Sequence, residues 1–309
     1  MRIGVDLGGT KIEVAVLGNK GEIVARERVD TPQGSYEGTV AAVADSVLRA
    51  ERELGQRVNV GVAAPGAISP VTGVVKNANS TALNGHPLDR DLAVALGRVI
   101  RVSNDANCFA LSEAVDGAGA GARVVLGVIL GTGVGAGIVI DGRVITGPNA
   151  IAGEWGHNSL PAPMPDERPG PLCYCGRYGC IETYLSGPGF VADYVNACGG
   201  VPGTGRVETI LAAVEAGEVA ARKALERYLD RMARSLASVV NVLDPDVVVV
   251  GGGLSNLDVH YAEIPARWND FVFSDEVTTP LCRPVHGDSS GVRGAAWLWA
   301  PGEPVRALP

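Results

Sequence analysis

Aromatic residues are scarce in this 309-residue chain: four Trp, seven Tyr and four Phe make up 5% of it. A core of any size must therefore be aliphatic. With 46% hydrophobic residues there is material for one, and intrinsic disorder is excluded. Positive charge is in deficit, with 26 Lys and Arg against 34 Asp and Glu, a net −8. An acidic chain lacks the electrostatic footprint of a nucleic-acid binder and has no attraction to anionic lipid. Long apolar runs are also missing. Val124 to Ile140 is uncharged for 17 residues but holds five glycines, and it is shorter than the roughly 20 apolar residues of a spanning helix. The N-terminal Met1-Arg2-Ile3-Gly4-Val5-Asp6 enters strand-like sequence directly, without the apolar stretch of a secretory leader. A soluble, cytoplasmic protein is expected.

What is present is glycine, 42 residues, together with a length of about two domains at roughly 150 residues each. Three Val- and Ile-rich strands open the chain, Arg2–Asp6, Ile12–Leu17 and Glu22–Val29, joined by connections short enough to require antiparallel hairpins. A helix over Gly38–Leu54, a strand over Val58–Ala64, a helix over Asp89–Leu96, a strand over Val99–Val102 and a helix over Asp105–Val115 follow. This alternation predicts an α/β layer architecture. Asp116–Gly121 is a small-residue linker, after which the opening pattern restarts. Val128-Ile129-Leu130-Gly131-Thr132-Gly133 matches Val5-Asp6-Leu7-Gly8-Gly9-Thr10 at an offset of 123 residues, which reads as one supersecondary unit used twice. Beyond a loop with five prolines between Pro161 and Pro171, Leu225, Leu229, Met232, Leu236, Val239 and Leu243 form one apolar helical face. A strand over Asp246–Val250 and a terminal helix over Val292–Trp299 complete the pattern.

Three glycine turns follow strands: Gly8-Gly9-Thr10-Lys11, Gly131-Thr132-Gly133 and Gly251-Gly252-Gly253. Backbone amides converge on a phosphate only where no Cβ blocks the approach, so these are candidate phosphate cradles. The first alone carries a strand carboxylate, Asp6, able to hold Mg²⁺ partly through water, and a cation, Lys11. The repeat has Ile129 in the place of Asp6. No GxxxxGK[ST] occurs, which excludes a P-loop. Gly131–Ala136 fits GxGxxA as a string, but a strand and not a helix follows it, so a dinucleotide fold is not implied.

Of six cysteines, Cys173, Cys175 and Cys180 crowd into eight residues, with His157 sixteen residues upstream. Cys₃His is a closed tetrahedral zinc set, structural rather than hydrolytic, and Gly176 and Gly179 let the loop fold back onto one ion. Cys108, Cys198, Cys282, His86, His260 and His286 have no such company and read as buried residues. Asn104-Asp105 lies between a strand and a helix. There Asp105 can act as a general base, kept ionised by the helix dipole, and a weak base suffices for phosphoryl transfer. Glu154 and Glu182 flank the zinc ligands, and with Asn104 and Asp105 they offer acceptors for a ligand rich in hydroxyls.

Taken together, these motifs resemble the ROK (repressor, open reading frame, kinase) family of the actin-like ATPase superfamily. The likeness spans nearly the whole chain. It is carried by Asp6–Lys11, Asn104–Asn107, Leu130–Gly133, Gly153–His157, the CxCGxxGCxE signature from Cys173 to Glu182, and Asp244-Pro245-Asp246 leading into Gly251–Gly253. Within the family, Lys76–Thr81, Glu154–Leu160 and His286–Trp297 look most similar to the bacterial manno(fructo)kinase branch. The resemblance implies two actin-like, ribonuclease H-like domains with a cleft between them. Residues 1–117 would form the first, with 291–309 packing back on it, and 118–290 the second, carrying the zinc loop. It implies ATP and Mg²⁺ as cosubstrates, structural zinc on His157, Cys173, Cys175 and Cys180, and a homodimer. Asp105 would take the proton from the sugar 6-hydroxyl, and Asn104, Asp105, Glu154, His157 and Glu182 would bind the sugar. His157 would serve zinc by one ring nitrogen and sugar by the other. Asp6 would hold Mg²⁺; Gly8, Gly9, Thr10, Lys11, Gly131, Thr132, Gly133 and Gly135 would hold phosphates, and Gly251, Gly252 and Gly253 would lie by the adenosine. Fructose is the expected substrate, with glucose, mannose or an N-acetylhexosamine as alternatives. The different-class alternatives are a sugar-responsive repressor, for which the first phosphate motif lies too near Met1, and a non-catalytic sugar-binding protein.

Overall fold

A computed structural model describes residues 1–200 and 205–308. In chain order the first elements are β1 (Arg2–Leu7), β2 (Lys11–Leu17), β3 (Ile23–Asp30), α1 (Tyr36–Leu54), β4 (Asn59–Ala64), β5 (Ala67–Ile68), β6 (Val75–Lys76), α2 (Leu88–Leu96), β7 (Arg101–Asn104) and α3 (Asp105–Asp116). Then come β8 (Val124–Leu130), β9 (Val134–Ile140), β10 (Arg143–Val144), α4 (Glu182–Leu185), α5 (Gly187–Ala197), α6 (Val207–Glu215), α7 (Val219–Leu243), β11 (Val247–Gly251), α8 (Val259–Arg267), β12 (Leu281–Cys282) and α9 (Ser290–Trp297). Two compact units result. One holds Met1–Gly121, Gly137–Gly153 and Val285–Pro309; the other holds Ala122–Ala136 and Glu154–Pro284. The sequence pattern assigns Gly137–Gly153 differently, to a second domain over 118–290. Gly137 lies so close to α3 that a Cβ there would meet the Ala106 carbonyl oxygen at 2.5 Å, which draws this hairpin to the first unit.

The first sheet has the order β3-β2-β1-β4-β7, antiparallel through β3, β2 and β1 and parallel from β1 to β7. Side chains alternate across it. Ile3, Val5, Val14, Val60 and Val62 face a core shared with Val43 and Val47 of α1 and Leu92 of α2. The opposite face carries α9. There Gly4 and Gly61 lie directly under the helix, and a Cβ on either would come within 2 Å of the Val292 or Ala295 carbonyl oxygen. Asp6 shares that face with Gly4. Helix α1 is bounded as its sequence dictates: the Ser35 hydroxyl accepts from the Gly38 amide at 3.0 Å, and Gly55 ends it in the left-handed region, φ 66°.

The second sheet has the order β10-β9-β8-β11-β12, with β8, β11 and β12 parallel. Position for position this repeats the first sheet, which supports the duplicated unit read from the sequence. Helix α7 departs from the expectation of one apolar face. Residues 231–237 are buried on every side, because α4, α5, α6 and α8 all pack on this helix. Its buried Arg231 and Arg234 are paired with the buried Glu167 of the proline-rich loop, at 2.7 and 3.1 Å. Arg234 also donates to the carbonyls of Pro161 and Ala162. Element ends shift by one or two residues; notably β7 runs to Asn104, so α3 begins with no intervening loop. Among the described residues no helix is long and apolar enough to cross a membrane.

Candidate functional site

In the first unit the β7-to-α3 junction places the expected base. The Asn104 side chain caps α3, accepting from the Ala106 amide at 2.8 Å and donating to the Gly66 carbonyl at 3.1 Å. The Asp105 carboxylate accepts from the same Ala106 amide, also at 2.8 Å, which fixes its direction. Its pKa is raised, because surrounding protein strips away part of its hydration; the hydrogen bonds from Ala106 and Asn104 oppose this only in part. Asp105 is nonetheless solvent-exposed, so water screens the carboxylate and limits the shift.

Asp6 sits half-buried at the end of β1. Its pKa is raised to about 7, by burial first and then by the charges of Asp105 and Glu13, against a lowering from Arg28. The two carboxylates thus share one electrostatic environment, a combination that a divalent cation relieves. Asp6 is pressed against the start of α9: a Cβ on Gly291 would lie 2.5 Å from Asp6 Oδ2. The adjacent turn is closed by Gly8 N–H donating to the Lys11 carbonyl at 2.9 Å. Its Gly8 and Gly9 carbonyls are engaged by Thr31 and Gln33, and Gly9, Thr10 and Lys11 remain exposed.

In the second unit three expected groups converge. Gly131 N–H donates to the Gly133 carbonyl at 3.0 Å, closing the repeated turn, with Thr132 exposed at its tip and Gly135 half-buried in β9. Gly252 packs on the end of β8 at φ 82°, where a Cβ would meet the Leu130 carbonyl oxygen at 2.3 Å, so the Gly251–Gly253 turn lies beside it. Glu182 Oε2 accepts from the Val134 amide at 2.9 Å.

The metal set forms in the same unit. His157, Cys173, Cys175 and Cys180 present one ligand atom each, all within 4.8 Å of one another. Cys173 Sγ lies 3.6 Å from His157 Nδ1, and Cys175 Sγ 3.6 Å from Cys180 Sγ. These separations fit the roughly 3.7 Å edges of a tetrahedron with Zn–S of about 2.3 Å. The loop folds back because Gly176 and Gly179 are left-handed, φ 85° and 69°. Hydrogen bonds from Arg177 pull the Cys175 thiol down to about 6, whereas burial, then Cys175 and Cys173, push Cys180 up to about 12. His157 Nε2 faces away from the sulfurs, 2.9 Å from the Tyr174 hydroxyl. Glu154 is exposed one residue before the turn that carries His157.

The remaining cysteines and histidines are not uniformly buried. Cys108 is buried, but Cys198 is exposed and Cys282 half-buried. His260 is buried, His86 stacks on Tyr36 at 3.9 Å, and His286 pairs with Asp116 at 2.9 Å. Sequence reading missed Glu167. Its signal was the pair of arginines, 231 and 234, inside an apolar helical stretch: buried guanidinium groups demand a buried carboxylate.

The chain is similar over nearly its whole length to known proteins. It is 41% identical over 302 residues to an N-acetyl-D-glucosamine kinase of Photobacterium profundum, covering 96% of this chain and 99% of that one. It is 40% identical over 302 residues, at the same coverage, to an N-acetyl-D-glucosamine kinase of Escherichia coli. Among solved structures, the ROK hexokinase of Thermus thermophilus matches with a TM-score of 0.85, 32% identity and 96% of both chains covered. The two sequence relatives are named for N-acetyl-D-glucosamine and not for fructose, so the finer likeness to manno(fructo)kinases is unconfirmed. The profile of the ROK family matches residues 2–301. This α/β protein of two related sheets belongs to the ROK family.

Proposed function

We propose that the protein is an ATP-dependent sugar kinase that phosphorylates N-acetyl-D-glucosamine on its 6-hydroxyl. The substrate rests on the 40–41% identity to N-acetyl-D-glucosamine kinases. It is one of the alternatives to fructose that the sequence leaves open. The chemistry rests on one observation, the exposed Asp105 carboxylate at the start of α3, aimed by the Ala106 amide at 2.8 Å.

In this reading Asp105 is the general base. The upward direction of its pKa favours it as a proton acceptor from a hydroxyl, and its bond from the Ala106 amide keeps the carboxylate aimed. Asp6 would hold Mg²⁺, which supplies charge neutralisation on the transferred phosphoryl group. Gly8–Lys11 and Gly131–Gly133, with Gly135, would hold the phosphates, and Gly251–Gly253 the adenosine. Asn104, Glu154, His157 and Glu182 would accept from and donate to the sugar hydroxyls. The His157, Cys173, Cys175 and Cys180 set fits zinc in donor type and spacing, and the ion would order the loop that presents His157 Nε2 and Glu182.

The test is turnover of Mg·ATP by zinc-loaded protein against N-acetylglucosamine, N-acetylmannosamine, glucose, mannose and fructose. The expected result is a kcat/KM for N-acetylglucosamine about tenfold or more above the others, within what pocket contacts provide. A preference for fructose would move the substrate to the manno(fructo)kinase branch, and no turnover with any sugar would overturn the kinase reading.

A further inference from the structure

The segment that follows the last zinc ligand braces the second glycine turn at both ends. Glu182, two residues after Cys180, accepts from the Val134 amide through Oε2 at 2.9 Å. The same oxygen lies along Gly133, 2.7 Å from where a Cβ would stand. Gly187, at the start of α5, donates its amide to the Gly131 carbonyl at 2.8 Å. Between these ties the chain is stiff: Thr183 returns to the Cys180 carbonyl by both amide and hydroxyl, and Ser186 N–H donates to the Glu182 carbonyl. On the other side Cys180 is bridged to Ser159, and Ile181 N–H donates to the Asn158 carbonyl, next to His157. Two residues therefore connect Cys180 of the cysteine cluster to the Val134 tie and seven connect it to the Gly131 tie, with hydrogen bonds along the way.

We propose that Glu182 is a positioning residue for the phosphate turn, so that the metal loop sets nucleotide affinity as well as sugar affinity. This rests on the reading that Gly131–Gly133 takes nucleotide phosphate. By linkage, whatever the metal does for the nucleotide the nucleotide does for the metal. The sign is distinctive. A carboxylate beside a phosphate site repels it, so simple electrostatics makes nucleotide bind tighter once Glu182 is removed. Positioning makes it bind more weakly.

The experiment is calorimetric titration of the full chain with Mg²⁺ and the non-hydrolysable analogue AMP-PNP, without sugar. Wild type and Glu182→Ala are compared zinc-loaded and zinc-stripped, with thermal melting to check folding. Glu182→Ala is expected to weaken AMP-PNP about fivefold or more, a typical coupling. Stripping zinc from wild type should weaken it similarly, and stripping Glu182→Ala should add little. Glu182→Gln keeps an acceptor oxygen for Val134 N–H and should retain nucleotide affinity. Unchanged or tighter binding by zinc-loaded Glu182→Ala would overturn the proposal, as would equal losses on stripping both proteins. No AMP-PNP binding by zinc-loaded wild type would instead sink the nucleotide reading beneath it.

Discussion

The two glycine turns at the ends of β1 and β8 have the same strand order around them and opposite chemistry. The first owns its carboxylate: Asp6 stands on the strand itself, and Lys11 follows in the turn. The second has Ile129 at the equivalent place and receives its carboxylate from elsewhere, Glu182, 48 residues from the Val134 amide it accepts from and two residues after Cys180. One backbone unit thus occurs twice, once with its carboxylate on its own strand and once with a carboxylate brought in from a neighbouring segment. A repeat preserves the scaffold, and the function of each copy depends on which side chains reach it.

The largest break in this comparison comes from the charge that only the first unit holds. Asp105→Asn is expected to lower kcat about 10²–10⁴-fold while leaving sugar affinity, measured by calorimetry, nearly unchanged. Full turnover in that variant would refute the base. Next, Asp6→Asn should cost about 10²-fold in Mg²⁺-dependent turnover. Adding Ile129→Asp should restore none of it, since the second turn lacks the rest of the cation environment; recovery in the double variant would make the two copies interchangeable.

Acid should separate the units by sign. Burial, with Arg283 nearby, lowers His260 to about 4 from an ordinary 6.5. The unfolded chain then binds the extra proton first, so stability is full above pH 6.5 and is lost as pH falls toward 4. The loss is about 3 kcal/mol at 1.36 kcal/mol per pH unit. Asp6, raised to about 7 from 3.8, works oppositely: the folded form holds the proton, and stability falls as pH rises from 4 to 7. Hydrogen exchange followed between pH 4 and 7 should show the second unit loosening on acidification, and His260→Phe should flatten its response. The smallest effect is on packing. Gly61→Ala should destabilise the first unit by about 1–3 kcal/mol, seen as a lower denaturation midpoint, because its Cβ would stand 1.8 Å from the Ala295 carbonyl oxygen.

What could be read from sequence was what is local in sequence. Cys173, Cys175 and Cys180 declare themselves by spacing, Asn104-Asp105 by standing just before an apolar helical run, and the two sheets by repeated strand-turn-strand patterns. What could not be read depends on distant partners. The Glu182 bond to Val134 spans 48 residues and that of Glu167 to Arg231 spans 64. The upward shift of Asp105 has the same origin: the helix end is visible in the sequence, and the protein packed around the carboxylate is not. Substrate identity sits further out still, in pocket contacts that share no motif.

The placement of α9 has a consequence for how the molecule is made. Gly4 and Gly61 of the first sheet are covered by a helix that begins at Ser290, long after the sheet's last strand in chain order. Trp299 Nε1 donates to the Val60 carbonyl, and Arg2 donates to that of Trp299. On a ribosome adding about 5–20 residues per second, the sheet is complete at Asn104 and waits roughly 10–40 s for the helix that seals it. Over that interval one apolar face is bare, open to chaperones and to aggregation. Truncation before Ser290 would make that nascent, half-covered state permanent.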